Sequence, residues 1–224
     1  MPNLPDSRPL LYLISDRQAL RRKPEETEAE IRLHQLAVLR QALEAGCRLI
    51  QIREKDLDDP DLRNLTQEVL RLARPLKAQI LVNDRLEVAL ATGAAGVHLR
   101  ASSMPVPQAR AIAAGRGVNE LLIGVSTHSL AEARTAEAGG ADFIVCGPVY
   151  PTPSKMSYGP PLGIQAFAEI CRSVTIPVLA LGGLNLANFR ETLRHGAAGI
   201  AGIGLFTDPQ QLQQNIETIM SAKI

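Results

Sequence analysis

The sequence predicts an α/β fold, a single (β/α)8 TIM barrel formed by residues 1–224. Short apolar segments rich in Val, Ile and Leu recur along the chain, and longer amphipathic stretches separate them. The resulting strand–helix unit repeats eight times, at a spacing that leaves no room for a second domain. An open doubly wound sheet would have fewer strands and a GxGxxG turn after the first one, and the sequence has no such turn there.

Eight apolar segments are the predicted strands. Their composition is typical of parallel strands that are covered on both faces. In chain order they are Leu10–Ile14, Leu49–Ile52, Gln79–Val82, Gly96–Leu99, Leu121–Val125, Asp142–Cys146, Pro177–Leu181 and Gly199–Ile203.

The amphipathic stretches between these strands are the predicted helices. The first, Glu25–Ala45, carries Ile31, Leu39 and Leu43 at helical spacing and ends at Gly46, a typical helix cap. Several of the helices end in a short turn rich in Ala and Gly, which lets helix and strand pack closely. The other predicted helices are Leu62–Ala73, Arg85–Ala91, Pro107–Ala114, Leu130–Ala138, Ile164–Arg172, Leu186–Arg194 and Pro209–Met220.

The composition excludes several classes of function. With 24 basic and 23 acidic residues, the chain has no overall field to attract nucleic acid or an anionic membrane. The aromatic content of 3%, without Trp, excludes base-stacking platforms. Three cysteines without metal spacing indicate thiols in a reducing cytoplasm, and prolines and an aspartate replace the apolar core of a signal peptide. We therefore expect a cytoplasmic protein that acts on small molecules, with a homo-oligomer left open.

The segment after the second strand suggests an anion site. Because side chains alternate along a strand, Gln51, Arg53 and Lys55 would point together toward the barrel axis if the strand continued that far. Cationic groups inside a cavity are costly unless an anion neutralises them, and Arg and Lys both suit phosphate. The alternative is a solvated run of charges, since acidic residues alternate with these cations.

The third and fifth strands end in further candidates. Asn83 and Asp84 could cap a helix, or Asp84 could bind Mg²⁺ while Asn83 binds phosphate. Ser126 could cap the following helix or donate to phosphate. His128 could act as a proton shuttle, or its role could be purely structural.

The remaining candidates lie on one long loop and after the last two strands. The Pro-rich segment 147–163 is predicted to be an active-site loop that carries Thr152, Ser154 and Lys155. Glycine turns at Gly183 and around Ile203 and Gly204 could bind a phosphate through backbone N–H groups, at the usual phosphate site of this architecture. Two facing phosphate sites would suit an enzyme that joins two phosphorylated fragments and releases pyrophosphate.

In several segments, found in the same order across nearly the whole chain, the sequence resembles the thiamine phosphate synthase/TenI family. They are Gln51–Lys55 (QIREK), Val82–Asp84 (VND), Gly96–Leu99 (GVHL), Gly124–His128 (GVSTH), Gly147–Lys155 (GPVYPTPSK), Leu181–Gly183 (LGG) and Gly199–Phe206. The resemblance implies coupling of hydroxymethylpyrimidine diphosphate to thiazole phosphate, giving thiamine phosphate and pyrophosphate. In the family, pyrophosphate departs first and leaves a stabilised pyrimidine cation, which the thiazole nitrogen attacks.

The resemblance also implies roles for particular residues. Ser154 is a further candidate for the pyrophosphate from its place on the long loop. By the resemblance, the pyrimidine diphosphate would be bound by Gln51, Arg53, Lys55, Asn83, Ser126 and Lys155. Of these, Arg53, Lys55 and Lys155 would be catalytic, because they stabilise the departing pyrophosphate. Asp84 would bind Mg²⁺, and the thiazole phosphate would be bound by Thr152, Gly183, Ile203 and Gly204.

Three positions depart from the family pattern. Ser103 stands where a second metal-binding aspartate is usual, Ser157 replaces an aspartate just past the loop lysine, and Gly204 replaces a serine. These departures favour a second possibility, a TenI-like thiazole tautomerase that shifts a proton on a carboxythiazole phosphate with His128 as the catalytic group. A third is an inactive phosphate-binding paralogue. The intact Gln51, Arg53, Lys55 and Asp84 favour the synthase.

Overall fold

Eight parallel strands close into a barrel, which confirms the predicted TIM-barrel fold. The computed structural model describes residues 4–6, 9–21, 23–152 and 159–222. Each strand pairs in parallel with the next, and the last pairs with the first. The strands are β1 (Leu10–Ile14), β2 (Leu49–Ile52), β3 (Gln79–Asn83), β4 (Gly96–Leu99), β5 (Leu122–Thr127), β6 (Phe143–Cys146), β7 (Val178–Ala180) and β8 (Gly199–Gly202).

Helices alternate with the strands. They are α1 (Glu28–Glu44), α2 (Asp59–Ala73), α3 (Leu86–Thr92), α4 (Val106–Gly115), α5 (Leu130–Ala138), α6 (Gly163–Ser173), α7 (Phe189–Arg194) and α8 (Pro209–Met220). Short 3-10 helices span Arg17–Leu20, Arg74–Leu76 and Gly204–Phe206. Within the described part of the chain, no helix is long and apolar enough to cross a membrane.

Local hydrogen bonds explain where the element boundaries differ from the predicted ones. Helix α1 begins at Glu28 rather than Glu25 because the Thr27 hydroxyl accepts from the Glu30 N–H and the Glu30 carboxylate accepts from the Thr27 N–H. Helix α2 begins before Leu62 because the Asp58 carboxylate caps it. The apolar periodicity therefore located the helices, and the capping side chains set their first residues.

Two apolar layers hold the barrel together. Along β1, Leu10, Tyr12 and Ile14 point into the barrel, while Leu11 and Leu13 point outward against the helices. Inside the barrel, the Tyr12 and Phe143 rings pack edge to face with their centroids 5.4 Å apart, and both residues are fully buried. The barrel interior is therefore filled with side chains at this level.

Candidate active site

A cavity of about 550 Å³ lies at the carboxyl ends of the strands, where barrels of this kind bind their ligands. It brings together residues that are far apart in the sequence. Every predicted substrate-binding residue in the described ranges lines it, and so does His128. The lining residues predicted from the sequence are Gln51, Arg53, Lys55, Asn83, Ser126, His128, Thr152, Gly183, Ile203 and Gly204.

Four predicted residues are not part of this lining. Asp84 and Ser103 lie beside the cavity and contact each other, as described below. Ser154 and Lys155 lie outside the described residues, as does Ser157. The predicted roles of these residues stay predictions.

The cations after β2 reach the cavity although the strand does not continue to them. Strand β2 ends at Ile52, and the following residues are held by side-chain bonds instead. The Arg53 N–H donates to the Ser15 hydroxyl oxygen at 3.0 Å, and the Arg53 guanidinium lies 3.4 Å from the Asp16 carboxylate. Gln51 is buried, and its amide nitrogen is 3.4 Å from the Asn83 side-chain oxygen.

Glu54 is buried directly behind these cations, with 5% exposure. Its carboxylate accepts hydrogen bonds from the Ser15 hydroxyl, from the Gln35 side-chain nitrogen at 2.5 Å and from the Arg17 N–H at 2.8 Å. Burial nevertheless raises the pKa of Glu54 to about 7, because the charged form loses its water. Glu54 is therefore not part of a solvated charge run.

We expect the Glu54→Gln substitution to remove a pH dependence of stability. The pKa of Glu54 is about 7 in the folded protein against an ordinary 4.5, so the folded state binds the proton more tightly. The contribution of Glu54 to the free energy of unfolding should therefore be fully present below pH 4.5 and be lost as the pH rises through about 7, by about 3 kcal/mol in all. Urea unfolding across this range measures it. The control variant Glu120→Gln, changed at an exposed position, should show the same pH dependence of the free energy of unfolding as the wild type. The same pH dependence in Glu54→Gln and in the wild type would contradict the assignment.

A buried histidine connects the barrel interior to the cavity. His98 is 2% exposed, and burial lowers its pKa to about 3, so the ring is neutral. Its Nδ1 lies 3.3 Å from the Tyr12 hydroxyl and its Nε2 lies 2.9 Å from the Ser126 hydroxyl oxygen. With the buried phenol donating to Nδ1, Nε2 carries the hydrogen and donates to Ser126. The Ser126 hydroxyl can then donate its own hydrogen to a ligand.

His128 is held in one orientation at the end of β5. Its Nδ1 lies 2.5 Å from the Gly147 carbonyl oxygen, so Nδ1 carries a hydrogen and donates it. Its backbone N–H donates to the Glu132 carboxylate at 2.6 Å. This arrangement leaves Nε2 as the ring nitrogen that can accept or deliver a proton in the cavity.

The turn after β7 has the conformation expected of a backbone phosphate site. Gly183 has a φ of +67°, and a Cβ atom there would lie 2.6 Å from the Pro151 carbonyl oxygen, so only glycine fits without displacement. The Asn188 side chain donates to the Gly183 carbonyl at 2.9 Å and holds the turn. After β8, Gly204 begins a 3-10 helix and is exposed. Both turns line the cavity.

The expected magnesium ligand is already bound by protein groups. One Asp84 carboxylate oxygen accepts from the Arg100 guanidinium, with Nε at 2.7 Å, and the other accepts from the Ser103 hydroxyl. Across the described ranges, no group of three or more His, Cys, Asp or Glu side chains could hold a metal ion. A single carboxylate that a guanidinium already neutralises does not fit Mg²⁺, which prefers negatively charged oxygen ligands.

The sequence did not single out three residues of this site. Arg100 immediately follows β4 and lines the cavity, so the reasoning applied to Arg53 after β2 would also have identified it. His98 lies within the buried strand β4, where a histidine is typical of a hydrogen-bonded core residue, and it also reaches the cavity. Nothing in the sequence indicates the burial of Glu54, because its partners Ser15 and Gln35 lie on other elements.

The fold and the site together define a (β/α)8 barrel with a cationic cavity at the carboxyl ends of its strands. A family model described as thiamine monophosphate synthase matches residues 11–206. The chain belongs to this family, as the sequence resemblance indicated.

Similar proteins and a solved structure support the same family. The chain is 48% identical over 176 residues to a putative thiamine-phosphate synthase of Geobacter sulfurreducens, covering 78% of this chain and 80% of that one. It is 34% identical over 218 residues to a thiamine-phosphate synthase of Roseiflexus, covering 96% and 86%. The structure of a thiamine phosphate pyrophosphorylase from Pyrococcus furiosus superposes with a TM-score of 0.78 at 35% identity, covering 94% of this chain and 93% of that one.

Proposed function

We propose that this protein is a thiamine-phosphate synthase, a transferase of thiamine biosynthesis. It couples hydroxymethylpyrimidine diphosphate to thiazole phosphate and releases pyrophosphate. The observation that carries the proposal is the cavity itself, where cationic side chains from β2 and β4 and the glycine turns of β7 and β8 line one volume. The similarity to thiamine-phosphate synthases over most of the chain supports the same activity.

In this proposal the cations lower the barrier to departure of pyrophosphate. As the bond between the pyrimidine methylene and the diphosphate breaks, negative charge accumulates on the leaving group. Arg53 and Lys55 line the cavity. We assign them, together with Lys155, to the stabilisation of that charge. Gln51, Asn83, Ser126 and Ser154 complete the diphosphate contacts in this proposal, with the Ser126 hydroxyl 2.9 Å from His98 Nε2.

The thiazole phosphate is assigned to the other side of the cavity. Its oxygens accept from backbone N–H groups at Gly183, Ile203 and Gly204 and from the Thr152 side chain. No role is assigned to the magnesium ion expected from the family, because Asp84 is engaged by Arg100 and Ser103.

The test is direct synthesis. Purified protein is incubated with both phosphorylated precursors, once with Mg²⁺ and once with EDTA, and thiamine phosphate and pyrophosphate are quantified by chromatography. Formation of both products in equal amounts supports the proposal. Absence of thiamine phosphate under both conditions refutes it, and bound but unreacted precursors would then indicate an inactive phosphate-binding paralogue.

The orientation of His128 supports a second candidate, the thiazole tautomerase. A proton shift on carboxythiazole phosphate needs one group that both accepts and returns a proton, and the Nδ1 bond to Gly147 leaves Nε2 for that task. Interconversion of the carboxythiazole phosphate isomers without coupling would establish this activity in place of the synthase.

The His128→Asn substitution separates the two candidates. In a tautomerase, loss of the proton-transfer group should lower kcat by about 100-fold or more. In a synthase, the coupling rate should change by less than about tenfold, because the cations that meet the leaving group are untouched. His195 is a matched control, since its Nδ1 also bonds a backbone carbonyl, that of Glu191 at 2.8 Å, but it is half-buried just past the end of α7 and does not line the cavity. His195→Asn should leave either activity unchanged.

A further inference from the structure

We infer that the Arg100 guanidinium takes the place of a divalent cation at the diphosphate end of the cavity, so that this protein binds the diphosphate without a metal ion. The inference rests on the proposed function in taking a diphosphate as the ligand. It begins from the cavity lining, in which Arg53, Lys55 and Arg100 supply positive charge. No Asp or Glu of the described residues lines the cavity.

The contacts of Asp84 show how Arg100 is held. The Asp84 carboxylate lies outside the cavity lining, and its oxygens bind the Arg100 guanidinium and the Ser103 hydroxyl. The Ser103 oxygen in turn accepts the Arg100 N–H at 3.0 Å. Asp84 therefore fixes both ends of Arg100, its backbone through Ser103 and its guanidinium directly. This is the arrangement of an orienting carboxylate rather than of a metal ligand.

The backbone at Asp84 supports this interpretation. Asp84 adopts a φ of +60°, a left-handed conformation that is uncommon for a residue with a side chain. Its N–H donates to the His98 carbonyl at 2.9 Å, which ties it to the end of β4 just before Arg100. The carboxylate is thus positioned relative to the strand that carries Arg100.

Charge decides which cation the site accepts. A divalent ion entering this cavity would meet the side chains of Arg53, Lys55 and Arg100. The carboxylates beside them, Asp16 and Asp84, lie outside the described lining and are engaged in ion pairs with Arg53 and Arg100, so no carboxylate is left in the lining to bind the ion before the diphosphate arrives. Asp84 accepts from the Nε and Nη2 side of Arg100, and the edge formed by Nη1 and Nη2 is a second planar pair of donors that matches two phosphate oxygens. The guanidinium is also covalently attached, so its positioning does not depend on ion concentration.

The experiment measures binding of inorganic pyrophosphate to the full chain by isothermal titration calorimetry. In EDTA, we expect pyrophosphate to bind with a Kd within about threefold of its value in Mg²⁺. Arg100→Ala should weaken binding in EDTA by about tenfold or more, because one bidentate charged contact is lost. The matched variant is Arg116→Ala, which removes a surface ion pair with Glu87 and should bind as the wild type does. Pyrophosphate binding that requires Mg²⁺, or that Arg100→Ala leaves unchanged, overturns the inference.

A double variant tests whether removing the Arg100 guanidinium and adding a carboxylate creates a metal-binding site. Arg100→Gly combined with Ser103→Asp removes the guanidinium and places a second carboxylate beside Asp84. We expect the wild type to bind no Mn²⁺ by electron paramagnetic resonance, and the double variant to bind Mn²⁺ and to need it for pyrophosphate. Tight Mn²⁺ binding by the wild type would contradict the inference. If the double variant does not fold, the Arg100→Ala titration decides alone.

These binding measurements separate the inference from the proposed function. Metal-independent pyrophosphate binding without any synthesis of thiamine phosphate would keep the inference and refute the synthase. Synthesis that depends on Mg²⁺, together with pyrophosphate binding that depends on Mg²⁺, would keep the synthase and refute the inference.

Discussion

Replacing Arg53 with alanine is expected to lower kcat/KM for coupling by about 100- to 1,000-fold. Arg53 reaches the cavity from the end of β2, and its ion pair with Asp16 is loose, at 3.4 Å. Its guanidinium can therefore turn toward a diphosphate at little cost. Removing one preorganised charged donor beside a leaving group typically costs about 3 to 4 kcal/mol of transition-state stabilisation. Steady-state kinetics with both precursors measure the loss.

Two variants make this result specific to the guanidinium. Arg53→Lys keeps the charge but loses the planar pair of donors, and should lie between wild type and Arg53→Ala. Thermal unfolding of Arg53→Ala should match the wild type closely, because the ion pair with Asp16 is loose and Arg53 bonds Ser15 through its backbone N–H, which the substitution keeps. A variant that couples at the full rate would refute the diphosphate role of Arg53.

Replacing Gly96 with alanine is expected to destabilise the barrel by about 4 kcal/mol or more, which corresponds to a Tm lower by about 10 °C. Gly96 begins β4 and is in register with Leu122 of β5. A Cβ atom at Gly96 would lie 1.9 Å from the Leu122 carbonyl oxygen. Because that oxygen belongs to the neighbouring strand, the added methyl group must displace strand backbone. Urea unfolding and calorimetry measure the change.

Gly115 provides the matched control. It ends α4, and a Cβ atom there would have no neighbour within 4 Å. Gly115→Ala should therefore change the free energy of unfolding by less than about 1 kcal/mol and in the stabilising direction, since alanine favours the helix. Equal destabilisation by the two substitutions would show that the close approach at Gly96 does not limit stability.

The periodic part of the architecture was predictable from the sequence because it depends on local composition. Buried parallel strands require runs of Val, Ile and Leu, and surface helices require amphipathic spacing, so each unit reveals its type within its own residues. Helix α1 ends at Glu44, close to its predicted glycine cap Gly46, because a glycine cap is also a local feature of the sequence. The start of the helix depended on the capping box of Thr27 and Glu30, which apolar spacing does not reveal.

The candidate site was predictable only where strand position decides it. Gln51, Arg53 and Lys55 were located from their place after β2, and they line the cavity. The engagement of Asp84 by Arg100 and Ser103 could not be read in the same way. It arises from a left-handed residue and from contacts across 16 and 19 residues of chain, which no local pattern encodes.

The ring pair formed by Tyr12 and Phe143 limits how reactants enter and how products leave. Because these fully buried side chains fill the barrel beneath the cavity, whatever enters from the carboxyl side cannot leave by the far end. Reactants and products must therefore enter and leave on the carboxyl side of the barrel. A product that is released slowly occupies the cavity that the next reactants need, and it therefore delays the next turnover.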